Sequence, residues 1–127
     1  MNPARKKILV VDDSSTMLLM EQVLLRRRYE VVQANSGAQA LRIAAEQRPD
    51  LILLDVNMPN IDGLETCRLL RSLEVTKVTP IIMVTTQSSK AMVDAAFANG
   101  ASDYVTKPID QSGLLHKIAK FLGDEGP

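Results

Sequence analysis

The chain has 127 residues, and its 15 lysines and arginines balance 15 aspartates and glutamates, giving a formal net charge of zero. This length suits one domain with its own hydrophobic core, and the balanced charge provides no general attraction to nucleic acid. No apolar run reaches the length of a membrane span, and no signal-peptide pattern opens the sequence. The single cysteine, Cys67, cannot form an internal disulfide. We therefore expect a cytoplasmic protein.

Short apolar runs alternate with longer amphipathic segments along the chain. The apolar runs predict strands at 8–11, 31–34, 51–54, 81–84 and 104–106. The amphipathic segments predict helices at 15–27, 37–46, 64–73, 90–99 and 111–122. Ser36 and Ser89 are candidate helix caps, and Gly100 is a candidate stop for the fourth helix. Five βα units in a row predict an α/β doubly wound fold around a parallel sheet.

Aspartates follow two of the predicted strands directly. Asp12 and Asp13 come after the first strand, and Asp55 comes after the third. An Asp-Asp pair alone is more often a helix-capping turn than a metal site. In open α/β sheets, however, ligands bind at the carboxyl ends of the strands, and three carboxylates converging there would repel one another. A hard divalent cation relieves this repulsion, and we expect Mg²⁺.

The fourth and fifth strands end in complementary groups. Thr85 supplies a hydroxyl after the fourth strand, and Lys107 supplies an ammonium after the fifth. Carboxylates, a divalent cation, a hydroxyl and a lysine together describe a site for a phosphoryl group. Asp55 is the candidate nucleophile.

The stretches 8–14 (ILVVDDS), 55–59 (DVNMP) with Asp62-Gly63, and 100–108 (GASDYVTKP) resemble response regulator receiver domains. The resemblance covers almost the whole chain, with the motifs in matching order and spacing. It implies a flavodoxin-like (βα)5 fold with strand order 2-1-3-4-5. We therefore expect residues 1–127 to form a single receiver domain with a core of about 7–122, followed by a short frayed tail at 123–127.

The resemblance also implies roles for the acids. Asp55 would accept a phosphoryl group from a histidine kinase or a histidine phosphotransfer protein. Asp13 and Asp55 would bind Mg²⁺ directly, Asp12 would act largely through water, and Asn57 would offer its backbone carbonyl. The domain would catalyse its own phosphorylation and slow dephosphorylation without being an enzyme that turns over external substrates.

Further roles implied by the resemblance concern the switch. Lys107 would contact the phosphoryl group, Thr85 would turn toward it, and Tyr104 would swing inward when Thr85 moves. This movement would change the face built from the fourth helix, fifth strand and fifth helix, where a protein partner would bind. A cis peptide bond is expected before Pro108, and a phosphorylation-dependent dimer is a further expectation.

Some positions depart from the commonest pattern of the family. Leu18 stands where chemotaxis-type members often have arginine, Thr86 stands where a smaller residue is frequent, and Ile109 replaces a frequent phenylalanine. These departures bear on partner identity and phosphoryl lifetime, as do Asn57 and Gln87, where the family varies its hydrolysis rate. None of them removes an essential group.

The first helix carries more apolar residues than one inward face requires. We predict an inward stripe of Met17, Met20 and Leu24. The surplus, Leu18, Leu19 and Val23, is predicted to dock a helix of the kinase or phosphotransfer protein, although it could also only pad the fold. The basic run 26–28 is predicted to be a solvated helix end rather than a binding patch.

Two alternatives stay open. The chain is a stand-alone regulator of the chemotaxis or phosphorelay kind, or it is the receiver part of a larger transcription factor or hybrid kinase. The rival from another class is a flavin-binding protein or a metal-dependent hydrolase of similar topology, although the sequence contains neither a P-loop nor a dinucleotide-binding glycine motif.

Overall fold

A computed structural model of the chain describes residues 5–123. Within this range the strands form one parallel sheet in the order β2-β1-β3-β4-β5, the order that the resemblance implied. The strands are β1 Lys7–Val11, β2 Glu30–Ala34, β3 Leu51–Asp55, β4 Ile81–Thr85 and β5 Asp103–Thr106. The helices are α1 Ser15–Leu25, α2 Gly37–Gln47, α3 Gly63–Ser72, α4 Lys90–Ala98 and α5 Gln111–Leu122. A short 3-10 helix, Glu74–Thr76, was not predicted, and the predicted tail lies, beyond Gly123, outside the described residues.

Each strand contributes to two cores because successive side chains point to opposite faces of the sheet. On one face Leu9 and Ile52 pack with residues of α2, α3 and α4. On the other face Ile8 and Leu51 pack with residues of α1 and α5. Strands β3 and β4 are buried along their whole length. This double burial explains why they consist of nearly continuous apolar runs.

The predicted helix ends are confirmed where a cap was named. The Ser36 hydroxyl accepts a hydrogen bond from Gln39 N at 3.1 Å, and the Ser89 hydroxyl accepts one from Met92 N at 3.2 Å. Gly100 follows α4 with a φ of 101°, a left-handed conformation that favours glycine. None of the helices within residues 5–123 is long and apolar enough to cross a membrane.

Helix α1 is rotated relative to its predicted orientation. The buried residues of this helix are Leu18, Glu21 and Leu25. The predicted inward stripe is therefore wrong at Met20, which is 38% exposed, whereas Leu24 is partly buried against the core. Leu18, predicted to be surplus, lies in the core. The run of apolar residues at 17–20 fits either face of a helix, so the pattern did not determine the rotation. As a consequence a glutamate lies in the interior.

Candidate functional site

Three acids meet at the carboxyl edge of the sheet. Asp12 directly follows β1, and Asp55 is the last residue of the neighbouring strand β3. One carboxylate oxygen from each of Asp12, Asp13 and Asp55 lies within 4.8 Å of the others. Asp12 and Asp55 are buried, whereas Asp13 is exposed. The convergence expected from the strand ends is present, and we call these three residues the acid pocket.

The backbone after β1 positions Asp12. Its Oδ1 accepts a hydrogen bond from Ser14 N at 2.9 Å, and the Ser14 hydroxyl caps α1 by accepting one from Met17 N at 3.2 Å. The capping turn considered for the Asp-Asp pair is thus formed, with Ser14 as the cap. Asp12 Oδ2 is buried and has no hydrogen-bond partner among the residues that the structure describes. This oxygen is available to a ligand of the acid pocket.

Gly63 allows the loop after β3 to approach the backbone of Asp55. A Cβ atom at position 63 would lie 2.2 Å from the carbonyl oxygen of Asp55 and 2.6 Å from Val56 Cα. The amide of Gly63 also donates a hydrogen bond to Val56 O at 2.8 Å. Because any side chain would displace this backbone, glycine is required at this position for Asp55 to be held as it is.

Lys107 reaches into the acid pocket from the end of β5. Its Nζ lies 3.2 Å from Asp55 Oδ1 and 3.7 Å from Asp12 Oδ2. Its backbone amide donates a hydrogen bond to Thr85 O at 2.8 Å, and the expected cis peptide bond joins it to Pro108. Burial disfavours the ammonium, but the hydrogen bond and the attraction to Asp55 outweigh it, and the pKa of Lys107 is raised.

Burial is also the largest influence on the pKa values of the acids. It raises the pKa of Asp55 despite the opposing hydrogen bond from Lys107, and it raises the pKa of Asp12 with a further contribution from the charge of Asp55.

Glu21, on the inner face of α1, is 1% exposed, and burial followed by repulsion from Asp12 raises its pKa to about 8. Glu21 Oε1 has no hydrogen-bond partner among the described residues. The sequence reasoning missed Glu21; its spacing of three and four residues from Leu18 and Leu25 was the available signal.

The other predicted site residues are Asn57, Thr85 and Tyr104. Asn57 N donates a long hydrogen bond to Asp55 Oδ1 at 3.4 Å. Thr85 is buried, and its hydroxyl accepts a hydrogen bond from Gln87 N at 2.9 Å. Tyr104 pairs with Met83 in the β4–β5 register and lies half-buried between α4 and α5, outside the acid pocket.

A family model described as "Response regulator receiver domain" matches residues 8–119. The chain belongs to this family. It is a receiver domain of two-component signalling, the phosphoryl-accepting switch that the resemblance implied. Members of this family are signalling domains, generally without catalysis of external reactions, and they interact with histidine kinases. Membership favours this function over the flavin-binding and hydrolase alternatives.

Known proteins agree with the assignment. The chemotaxis protein CheY4 of Vibrio cholerae is 36% identical, with a TM-score of 0.89 over 93% of this chain and 99% of that chain. The receiver domain of the sensor histidine kinase PA1611 of Pseudomonas aeruginosa, described with a magnesium ion coordinated in its active site cleft, is 30% identical with a TM-score of 0.88, covering 95% of this chain and 100% of that chain. The autoinducer sensor kinase/phosphatase CqsS of Vibrio cholerae is 41% identical over 74% of this chain, which spans only 14% of CqsS.

Proposed function

We propose that Asp55 accepts a phosphoryl group from the phosphohistidine of a histidine kinase or a histidine phosphotransfer protein. The observation that carries this proposal is the position of its carboxylate, in the acid pocket and 3.2 Å from Lys107 Nζ. An oxygen of Asp55 would form the bond to phosphorus while the P–N bond of the donor breaks and its electron pair stays on the imidazole. Lys107 would neutralise charge on the phosphoryl oxygens.

The acid pocket fits Mg²⁺. Its carboxylate oxygens are close together, and the buried Asp12 Oδ2 has no hydrogen-bond partner among the described residues. We assign direct binding to Asp13 and Asp55, binding through water to Asp12, and a backbone carbonyl ligand to Asn57. When bound, the ion supplies positive charge that offsets the acids and the phosphoryl oxygens. The magnesium described in the receiver of PA1611 supports this assignment.

The proposed reaction involves the chain itself and its donor. The domain takes up one phosphoryl group and loses it slowly to water, without turnover of an external substrate. We propose that it acts in the cytoplasm, that its output partner is a protein rather than nucleic acid, and that phosphorylation favours a dimer. The zero net charge supports a protein partner.

Thr85 and Tyr104 are proposed to transmit the phosphorylation state. The Thr85 hydroxyl, which now accepts from Gln87 N, would turn toward the phosphoryl group. Tyr104 would move inward in response and change the face formed by α4, β5 and α5. The half-buried position of Tyr104 supports this proposal, because an inward movement would cover the part of the residue that is still exposed.

Substitution of Asp55 tests the proposed nucleophile. With acetyl phosphate and Mg²⁺, the intact mass of the wild type should rise by one phosphoryl group, and Asp55→Asn should abolish the gain because an amide is not a carboxylate nucleophile. Asp94→Asn, at an exposed acid on α4, is the matched control and should keep the full gain. A full mass gain in Asp55→Asn would show that another residue is the acceptor.

The exposed apolar residues of α1 are proposed to dock the phosphoryl donor. Leu19 is 62% exposed and Val23 is 46% exposed; they lie one turn apart on the helix that begins beside the acid pocket. Leu19→Lys should slow phosphotransfer from the cognate protein several-fold and leave labelling by acetyl phosphate unchanged. The buried Leu18 is unsuitable for this test. Equal loss with both donors would contradict a docking role, since it would mean that the substitution damaged the site.

Whether the chain acts alone depends on the protein that contains it. The chain spans 14% and 42% of two curated relatives at 41% identity but 99% of the chemotaxis protein CheY4. We propose a stand-alone regulator on the likeness to CheY4, with a receiver part of a larger transcription factor or hybrid kinase as the second candidate. The length of the intact gene distinguishes the two candidates.

A further inference from the structure

The ammonium of Lys117 on α5 binds both residues at the start of β5. It donates hydrogen bonds to Asp103 Oδ1 at 3.0 Å and to the backbone carbonyl of Tyr104 at 2.8 Å. The same Nζ lies 5.2 Å from the centroid of the Tyr104 ring. This distance is within the range of a cation–π interaction. One side chain of α5 therefore contacts both the backbone and the ring of Tyr104.

The Tyr104 ring is held between two helices. On the α4 side, Phe97 meets it edge-on, with ring centroids 6.4 Å apart and an interplanar angle of 85°. On the α5 side it contacts Lys117. A groove of about 240 Å³, open to solvent, is lined by Tyr104 together with Thr106 and Leu114. Tyr104 also packs against the core on the α4 side, and because the groove leaves part of the residue uncovered, the contacts with Phe97 and Lys117 add to what holds the ring in place.

We propose that Lys117 is a positioning residue that holds Tyr104 at the surface in the unphosphorylated protein. The inference rests on the proposed role of Tyr104 as the switch, and it adds what keeps the switch in its resting position. The attraction between ammonium and ring exists only while the ring stays beside α5, so inward movement of the ring ends it. Lys117 therefore sets how much of the unphosphorylated population has the ring inward.

Such a contact couples Lys117 to the phosphorylation site by linkage. If a phosphoryl group on Asp55 favours the inward ring, a change that favours the inward ring raises the affinity of the site for a phosphoryl analogue, by at most the factor by which it shifts the equilibrium between the two ring positions. Removal of the ammonium should therefore tighten binding of the analogue. A residue that only joins α5 to β5 would, when lost, weaken binding or leave it unchanged. The direction of the change separates the two roles.

Beryllofluoride with Mg²⁺ is the probe, and Lys117→Met, similar in length but uncharged, is the variant. It should bind the probe about threefold tighter than the wild type. In NMR spectra of ¹³C-labelled tyrosine, assigned with Tyr104→Phe, the free variant should show the ring signal shifted toward its beryllofluoride-bound position. Lys117→Arg keeps the cation and should restore wild-type behaviour. Lys120→Met removes another lysine of α5 and should change neither measurement.

Lys117→Gln repeats the test with a second neutral side chain in case the methionine variant does not fold. Unchanged or weaker binding together with an unchanged Tyr104 signal in the folded neutral variant would overturn the role of Lys117. Failure of the proposed switch looks different, because the Tyr104 signal of the wild type would then not respond to beryllofluoride at all. That result would remove the basis of both proposals.

Discussion

The two edges of the sheet each carry a partly buried polar cluster, and these clusters differ in how their groups are paired. At the amino edge, Arg71 of α3 donates hydrogen bonds from Nε to Gly100 O at 2.9 Å and from Nη1 to Thr79 O at 2.6 Å and Thr76 O at 2.9 Å. The guanidinium thereby joins α3 to the segments that lead into β4 and β5. Its planar fork suits several carbonyl acceptors at once.

At the carboxyl edge, like charges lie together. Asp12, Asp13 and Asp55 share one pocket, with Glu21 behind it, and Lys107 is the cation that contacts Asp12 and Asp55. Asp12 Oδ2 and Glu21 Oε1 are buried without a hydrogen-bond partner in the part of the chain that the structure describes. Burial of such groups costs free energy of folding.

The contrast separates a cluster that stabilises the fold from one that serves binding. Paired groups at the amino edge hold elements together, whereas the carboxyl edge keeps mutually repelling acids that become favourable when a cation is present. Loss of stability at a functional site in exchange for binding is a common compromise in natural proteins. Substitutions at the two edges should therefore change stability in opposite directions.

The largest stabilisation is expected at Glu21. Its folded-state pKa of about 8 lies above its ordinary value of 4.5, so between these pH values unfolding releases a proton and stability falls as the pH rises. Glu21→Gln removes this dependence. Each unit of pKa corresponds to about 1.4 kcal/mol, so the variant should be more stable by roughly 3 kcal/mol at neutral pH. The difference should be near zero below pH 4.5. Urea unfolding across this pH range, with a chelator present, measures it.

A stability difference between Glu21→Gln and the wild type that does not vary with pH would contradict this account. It would mean that water or a hydrogen-bond partner stabilises the charged glutamate in the folded state, so that its pKa is close to the ordinary value. If Glu21→Gln were less stable than the wild type at every pH, Glu21 would stabilise the fold, as the paired groups at the amino edge do.

Substitution of Arg71 should lower the free energy of unfolding, the opposite of the effect expected at Glu21. Arg71→Met keeps much of the aliphatic stem but leaves the carbonyls of Gly100, Thr76 and Thr79 without their charged donor. We expect a destabilisation of about 2 kcal/mol, measured by urea unfolding, because hydrogen bonds to a charged group are stronger than neutral ones. Arg68→Met is the matched control on the same helix, because Arg68 makes an exposed pair with Glu65. Its free energy of unfolding, measured in the same way, should stay near that of the wild type. Equal effects of the two variants would contradict the special role of Arg71.

The fold and the three acids of the acid pocket could be predicted because they depend on local patterns. Strands β3 and β4 are continuous apolar runs, and consecutive βα units place every strand end at one edge. It follows that Asp12, Asp55 and Lys107 meet without any knowledge of side-chain geometry. The strand order itself came from the resemblance to receiver domains, since periodicity alone does not specify it.

The features that sequence missed depend on helix rotation and on contacts between distant elements. The apolar run at 17–20 does not determine which face of α1 points inward, so the burial of Glu21 could not be predicted from it. The bonds of Arg71 and Lys117 reach from one helix to the start of a strand, at sequence separations that no motif marks. Such contacts follow from packing, so they required coordinates.

The smallest effect is expected at Asp13, the exposed member of the acid pocket. Asp13→Asn removes one of the mutually repelling charges, but water screens an exposed charge, so the metal-free domain should gain less than about 1 kcal/mol. Mg²⁺ binds the folded pocket and should raise the melting temperature of the wild type. In Asp13→Asn this increment should shrink because a proposed direct ligand is lost. Thermal melts with chelator and with excess Mg²⁺ measure both quantities.

Asp94→Asn is the control for the melts, because it removes an acid on α4 that is not part of the pocket, and it should keep the wild-type Mg²⁺ increment. If Asp13→Asn lowered the metal-free melting temperature and kept the full increment, the three acids would not share a cation. The carboxyl edge would then differ from the amino edge only in its unpaired oxygens, and the proposed exchange of stability for metal binding would fail. If the increment shrank without any rise in the metal-free melting temperature, Lys107 alone would suffice to offset the charge of Asp13.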